Sequence, residues 1–165
     1  MVWKPTKVLG AIVGLIILLT MVGVDVFLVD NMLHQGIGLN LFFTAMLFIL
    51  SLPIIAVWLY WYVGFLTLRY HMDRNALTIS SATERQIIPL QTIQSIVPGA
   101  ELTVAQNFRG VGWPGYLKGS LRVKRLGMVQ VHSTEPLERQ LVVVTDSESY
   151  GISPMRQQQF LDDFA

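Results

Sequence analysis

"NFRGVGWPGYLKG", residues Asn107–Gly119, places Gly110, Gly112 and Gly115 in the spacing G-x-G-x-x-G. In a dinucleotide-binding βαβ unit, a strand leads into such glycines and a helix opens on them, its N-terminus facing the pyrophosphate. The surroundings here are different. Pro114 biases Trp113 toward extended backbone, and the following "SLRVKRL" reads as strand, so no helix opens. Glu135 stands 20 residues beyond Gly115, where a ribose-binding acid is expected, but it lies in the turn sequence "STEPLE". The 46 residues after Gly119 are also too few for the rest of a doubly wound domain. The stretch predicts a turn-rich connection between strands, and no nucleotide is expected.

Short strand signals lie on both sides of it. "LRYHM" and "LTIS" flank the turn "DRNA", so residues 68–80 read as a β-hairpin. "RQIIPL" reads as a third strand, and "LQTIQSI" fits either a short helical turn or a strand. "MVQVHS", "QLVVVTD" and "SYGIS" follow, giving six or seven strands. At the end, Ser153 is placed as an N-cap and Pro154 in the first turn of a helix. That helix would bury Met155, Phe160, Leu161 and Phe164.

Upstream the composition changes. Apolar residues make up 52% of the 165, charged residues 14%, and mean hydropathy is +0.50. That is too apolar for an average soluble domain. The excess is concentrated between Val8 and Leu68, where Asp25 and Asp30 are the only charges. Val8–Val29 would span roughly 33 Å as a helix, enough for a hydrocarbon core. A second run, Leu39 to Leu68, contains Pro53 and ends in the aromatic "WLYWYVGF", read as an interfacial belt or as packing on the first helix or on a partner. The first run exceeds a signal-peptide core, and no A-x-A-like site follows it. A transmembrane hairpin is expected over residues 1–68, with spans about 8–29 and 39–66, followed by a separate domain at 69–165. Lys4, Lys7, Arg69 and Arg74 flank the spans, and the connecting loop has no Lys or Arg. Both termini are therefore expected in the cytoplasm, with the chain in the inner (plasma) membrane.

The chain resembles the bacterial PH-domain family of membrane proteins. The residues that carry the resemblance are "YHMDRNALTI" (70–79), "IPLQTI" (88–93), "RGVGWPGYLKG" (109–119), "VVVTDSESYGISP" (142–154) and "FLDDF" (160–164). The fold class it implies is α+β: an N-terminal transmembrane helical hairpin, then a PH-like β-barrel or sandwich capped by a C-terminal α-helix. It also implies a non-catalytic module for contacts with membrane surfaces, other proteins or a second copy. The expected function is a membrane scaffold or adaptor. The alternative is an accessory subunit of a larger membrane complex, for example an energy-transducing one.

The candidate contact residues lie in and after the glycine stretch. Arg109, Trp113, Tyr116, Lys118, Arg122, Lys124 and Arg125 combine five cations with two amphipathic rings. Three readings are open: lipid headgroups, a protein partner, or Trp113 packing on the barrel beside solvated cations. Gly10 and Gly14 form G-x-x-x-G, a candidate for close helix packing, either between two copies or against the second span. Asp25 lies about one turn from the outer end of its span and is read as interfacial and solvated. With no cysteine, thiolate metal sites and disulfides are excluded. A net charge of +1 argues against a nucleic-acid partner. No catalytic constellation, cofactor or metal motif is found; the expected partners are the lipid bilayer and other membrane subunits or a second copy.

Overall fold

The computed structural model describes residues 1–82 and 84–164, without the side chains of 106 and 107. Ala165, the last residue of the expected domain, lies outside them. Two apolar helices, α1 (Val8–His34) and α2 (Leu39–Thr67), form a hairpin closed by residues 35–38. Both are long and apolar enough to cross a membrane. α1 runs past the expected end at Val29, and Asn31 and His34 bond back to the carbonyls of Phe27 and Asp30. α2 continues through Pro53. Asp25 is not solvated. It is buried against α2, where the Ser51 hydroxyl donates to its carboxylate at 2.6 Å. Its position along α1 puts it on the face turned toward α2, and a shared hydrogen bond compensates for its removal from water.

Two sheets follow. The first is antiparallel, in the order β1 (Val2–Trp3), β2 (Arg69–Met72), β3 (Ala76–Ser80), β4 (Arg85–Pro89). β1 comes from the N-terminal side of α1, so residues expected to belong only to the hairpin add a strand to the domain. The second sheet has β5 (Ile93–Pro98), β6 (Val104–Trp113), β7 (Tyr116–Val123), β8 (Gly127–Ser133), β9 (Leu141–Thr145) and β10 (Ser149–Ile152). Its order is β5-β9-β10-β8-β7-β6, with β10 parallel to β8 and the other pairs antiparallel. The sheets curl against each other as a PH-like half-barrel, with helix α3 (Gln157–Phe164) at the end.

Three local readings change. The glycine stretch is not a loop: Gly110 and Gly112 lie within β6, and β7 begins at Tyr116. Pro114 and Gly115 form a two-residue turn between the paired Trp113 and Tyr116. Gly115 has φ +89°, the conformation a Pro-Gly type II turn requires. Farther along, Gly110 pairs with Gly119, and a Cβ on either would collide with the opposite backbone. Glycine here allows two strands to approach rather than a loop to flex. Finally, Ser153 does not cap α3. Its hydroxyl accepts from Thr134 N–H at 2.9 Å, Pro154 bridges Pro5, and Met155 is exposed.

Alternating apolar positions create the core between the sheets. Tyr70, Leu77, Ile79, Ile88, Val143, Ile152 and Phe160 are all buried there. Trp3 of β1 meets Phe160 of α3 edge-on at 5.8 Å. Tyr70 joins both sheets: its hydroxyl donates to His132 C=O at 2.6 Å and accepts from Ser153 N–H at 3.2 Å. Complete burial pushes its pKa up to about 12, so it stays a donor. Tyr70→Phe takes the acceptor away from the buried Ser153 N–H and one donor away from His132 C=O. We expect a loss of about 1–3 kcal/mol, read as a thermal midpoint several degrees lower for the full chain in detergent.

Candidate functional site

The β6–β7 turn meets the first turns of α1. Gly115 and Gly10 are in backbone contact there; a Cβ on Gly10 would lie 2.5 Å from Gly115 C=O. The Trp113 indole N–H donates to Gly10 C=O at 3.1 Å. One turn along, a Cβ on Gly14 would lie 2.5 Å from the Tyr62 ring of α2. The two glycines of G-x-x-x-G thus face α2 and the β6–β7 turn of their own chain.

Rings fill the remaining space. Trp113 lies 4.9 Å from Trp58, 5.7 Å from Phe65 and 4.6 Å from Tyr116, and Phe65 lies 5.3 Å from Tyr116. Each such pair contributes about 0.5–1.5 kcal/mol beyond area burial. Trp58 N–H donates to Gly14 C=O at 3.3 Å and Tyr62 O–H to Ala11 C=O at 3.0 Å. The expected aromatic belt therefore divides. Trp58, Tyr62 and Phe65 pack inward, while Tyr60 faces outward, about half exposed.

Around this layer, polar contacts lock the domain to the helix ends. Lys118 on β7 pairs with Glu84 at 2.7 Å and lies 5.1 Å above the Trp61 ring. The Lys118 hydrogen bond holds Glu84 below the usual carboxylate range. His132, opposite Lys118 in the sheet, is kept low by burial. Thr67 Oγ1 at the end of α2 accepts from Ala82 N–H at 2.7 Å, and Lys7 Nζ donates to Leu66 C=O at 2.6 Å.

The seven candidate contact residues are not one patch. Trp113 and Tyr116 are buried at the helix junction, and Lys118 is engaged with Glu84 and Trp61. Arg109 and Arg122 are exposed on β6 and β7, and Lys124 and Arg125 occupy the turn beyond β7. The eight residues of β7 carry that turn roughly 27 Å along the strand from the Trp113 end. Arg125 there, at φ +75°, shares a groove with Asp146 and Glu148. Sequence reading missed the partners of Trp113: Gly10, Trp58 and Phe65. The readable signal was the Pro-Gly pair between two aromatics, which marks a tight hairpin.

The family model described as "Bacterial PH domain" matches residues 68–165, more than half of the chain. The chain belongs to that family. No curated protein and no solved structure matches it.

Gly10→Leu forces the β6–β7 turn away from α1. We expect about 1–3 kcal/mol of destabilisation, typical of overpacking, with a red shift in tryptophan emission as Trp58 and Trp113 become wet. Lys7 gives a pH test. Burial, then Arg69 and Lys4, lower its pKa from 10.5 to about 8. Between those values the unfolded chain binds more protons than the folded one, so stability rises with pH across that window. The rise should be smaller in Lys7→Met, measured by thermal midpoints at pH 7 and 10.

Proposed function

We propose that this member of the bacterial PH domain family is a non-catalytic membrane scaffold. Its two-span hairpin holds the PH-like domain in a fixed orientation at the cytoplasmic face of the inner membrane. PH domains are in general non-catalytic interaction modules. The observation that carries the proposal is the junction of Gly10, Trp113, Trp58, Phe65 and Tyr116, which joins the domain to the helices without a free linker. A domain built to search for distant ligands needs a flexible tether; this one is fixed to its anchor. The orientation rests on Lys4, Lys7, Arg69 and Arg74, which all flank the domain side of the helices.

The surface offered to partners is then the part of the domain farthest from the helix ends along β7. Arg122 and Lys124 there are exposed and have no ion pair among the described residues. Protein partners, or a second copy, fit this surface better than the bilayer does.

The chain has no native cysteine, so single cysteines report topology without background. With Gly36→Cys in the α1–α2 connection and Ser147→Cys in the β9–β10 turn, an impermeant maleimide added to spheroplasts should label only the former. Labelling of Ser147→Cys in intact spheroplasts overturns the orientation. For the role, detergent co-purification should recover the chain with other membrane proteins or as a homo-oligomer. A stoichiometric heteromeric assembly favours the accessory-subunit reading, and a lone monomer rules out the scaffold.

A further inference from the structure

The outer face of the first sheet carries a feature that neither the aromatic junction nor the distal cations explain. Arg69 on β2 pairs in register with Ser80 on β3, and Ser80 with Arg85 on β4. The three point away from the core, which takes Tyr70, Ile79 and Ile88 from the same strands. With strands about 4.8 Å apart, the arginine Cα atoms stand roughly 10 Å apart, with the serine midway between them. Two arginine side chains can therefore converge on one anion above the Ser80 hydroxyl. A groove of about 290 Å³ lies over this row, lined by Val2, Arg69, His71, Thr78, Ser80 and Arg85.

Among the described residues, no carboxylate forms an ion pair with the row. Among the described residues neither arginine has an ion pair or a side-chain hydrogen bond. Glu84, next to Arg85, is engaged by Lys118. Asp73, at the far end of β2, caps the β2–β3 turn through the N–H groups of Asn75 and Ala76. Lys4 and Lys7 add to the positive field, and the field of Arg69 and Lys4 is felt at Lys7.

The row is also level with the helix exit. Arg69 is the second residue after α2, and the Ala82–Thr67 hydrogen bond holds the β3–β4 turn against the end of that helix. If α2 leaves the bilayer there, the groove opens at headgroup height. Guanidinium forks match phosphate oxygens in a bidentate way, and a hydroxyl adds a third donor.

We propose that Arg69, Ser80 and Arg85 form a phosphate-binding notch that takes the headgroup phosphate of an anionic phospholipid at the membrane surface. The proposal rests on the membrane reading of α1 and α2. Its occupant is a lipid because the groove stands beside the end of a membrane helix.

The test uses the full-length chain, purified in mild detergent with an equimolar mixture of phosphatidylglycerol and phosphatidylcholine. Native mass spectrometry measures the ratio of the two lipids retained. Arg69→Gln/Arg85→Gln should lower the phosphatidylglycerol preference about thirtyfold, the order that two bases near an anionic surface supply. Arg122→Gln/Arg125→Gln removes the same charge at the far turn and should leave the preference unchanged. An equal loss in both double variants, or no preference in the parent, overturns the notch. Ser80→Ala, a single half-exposed hydroxyl, should weaken retention without disturbing the fold and serves if the double variant does not fold. Stabilisation by inorganic phosphate alone that matches phosphatidylglycerol overturns the lipid source. Carbonate-resistant membrane retention, measured in parallel, separates a failure of anchoring from a failure of the notch.

Discussion

The hydrogen bond from the Trp113 indole to Gly10 C=O, made where Gly10 and Gly115 touch, is the constraint on which the rest of the arrangement depends. It requires the absence of a side chain on two chain segments far apart in sequence. With both glycines present, a β-turn reaches the helix backbone and the large rings close over it. A β-carbon on either glycine would keep the turn away from the helix, and the ring layer would lose its centre. Domain orientation is therefore set by a packing contact, in which rings supply the area and one indole N–H sets the register.

The outer contacts make sense once that centre is in place. Lys118 spans Glu84 and Trp61, so one side chain ties β7 to the loop before β4 and to α2. Lys7 reaches the last turn of α2 from the start of α1. Each of these exposed or half-exposed contacts is weak alone. Their role is to limit rotation about a junction already fixed by burial.

Much of the architecture was legible because hydrophobic patterning carries it. The two apolar runs, the β2–β3 hairpin around "DRNA" and the strand-rich C-terminal part all follow from periodicity and turn residues. What was not legible depends on partners distant in sequence. Val2 and Trp3 are too short a segment to signal a strand and become one only because β2 offers an open edge. Ser153 has the residue type of a cap, yet Tyr70 and Thr134 claim its polar groups. Asp25 looked solvated because it was judged by its depth in the span, whereas its place around the helix turns it toward Ser51 of α2. The seven-residue contact cluster is compact in sequence, but a strand extends it along its length. Proximity in a β-hairpin runs across the ladder, as Gly110 with Gly119, rather than along the chain.

The pairing of β1 with β2 also has a temporal meaning. Val2 and Trp3 are synthesised before either helix, but their strand partner emerges only after both helices have been made. Phe160, against which Trp3 packs, comes after all ten strands. The N-terminal segment must therefore wait, unpaired, on the side where the domain will assemble. Once β1 joins the sheet, α1 is tethered at its start by the same body that holds the end of α2. The hairpin is then closed by its connection at one end and by a folded domain at the other, so neither helix can withdraw without unfolding part of that domain.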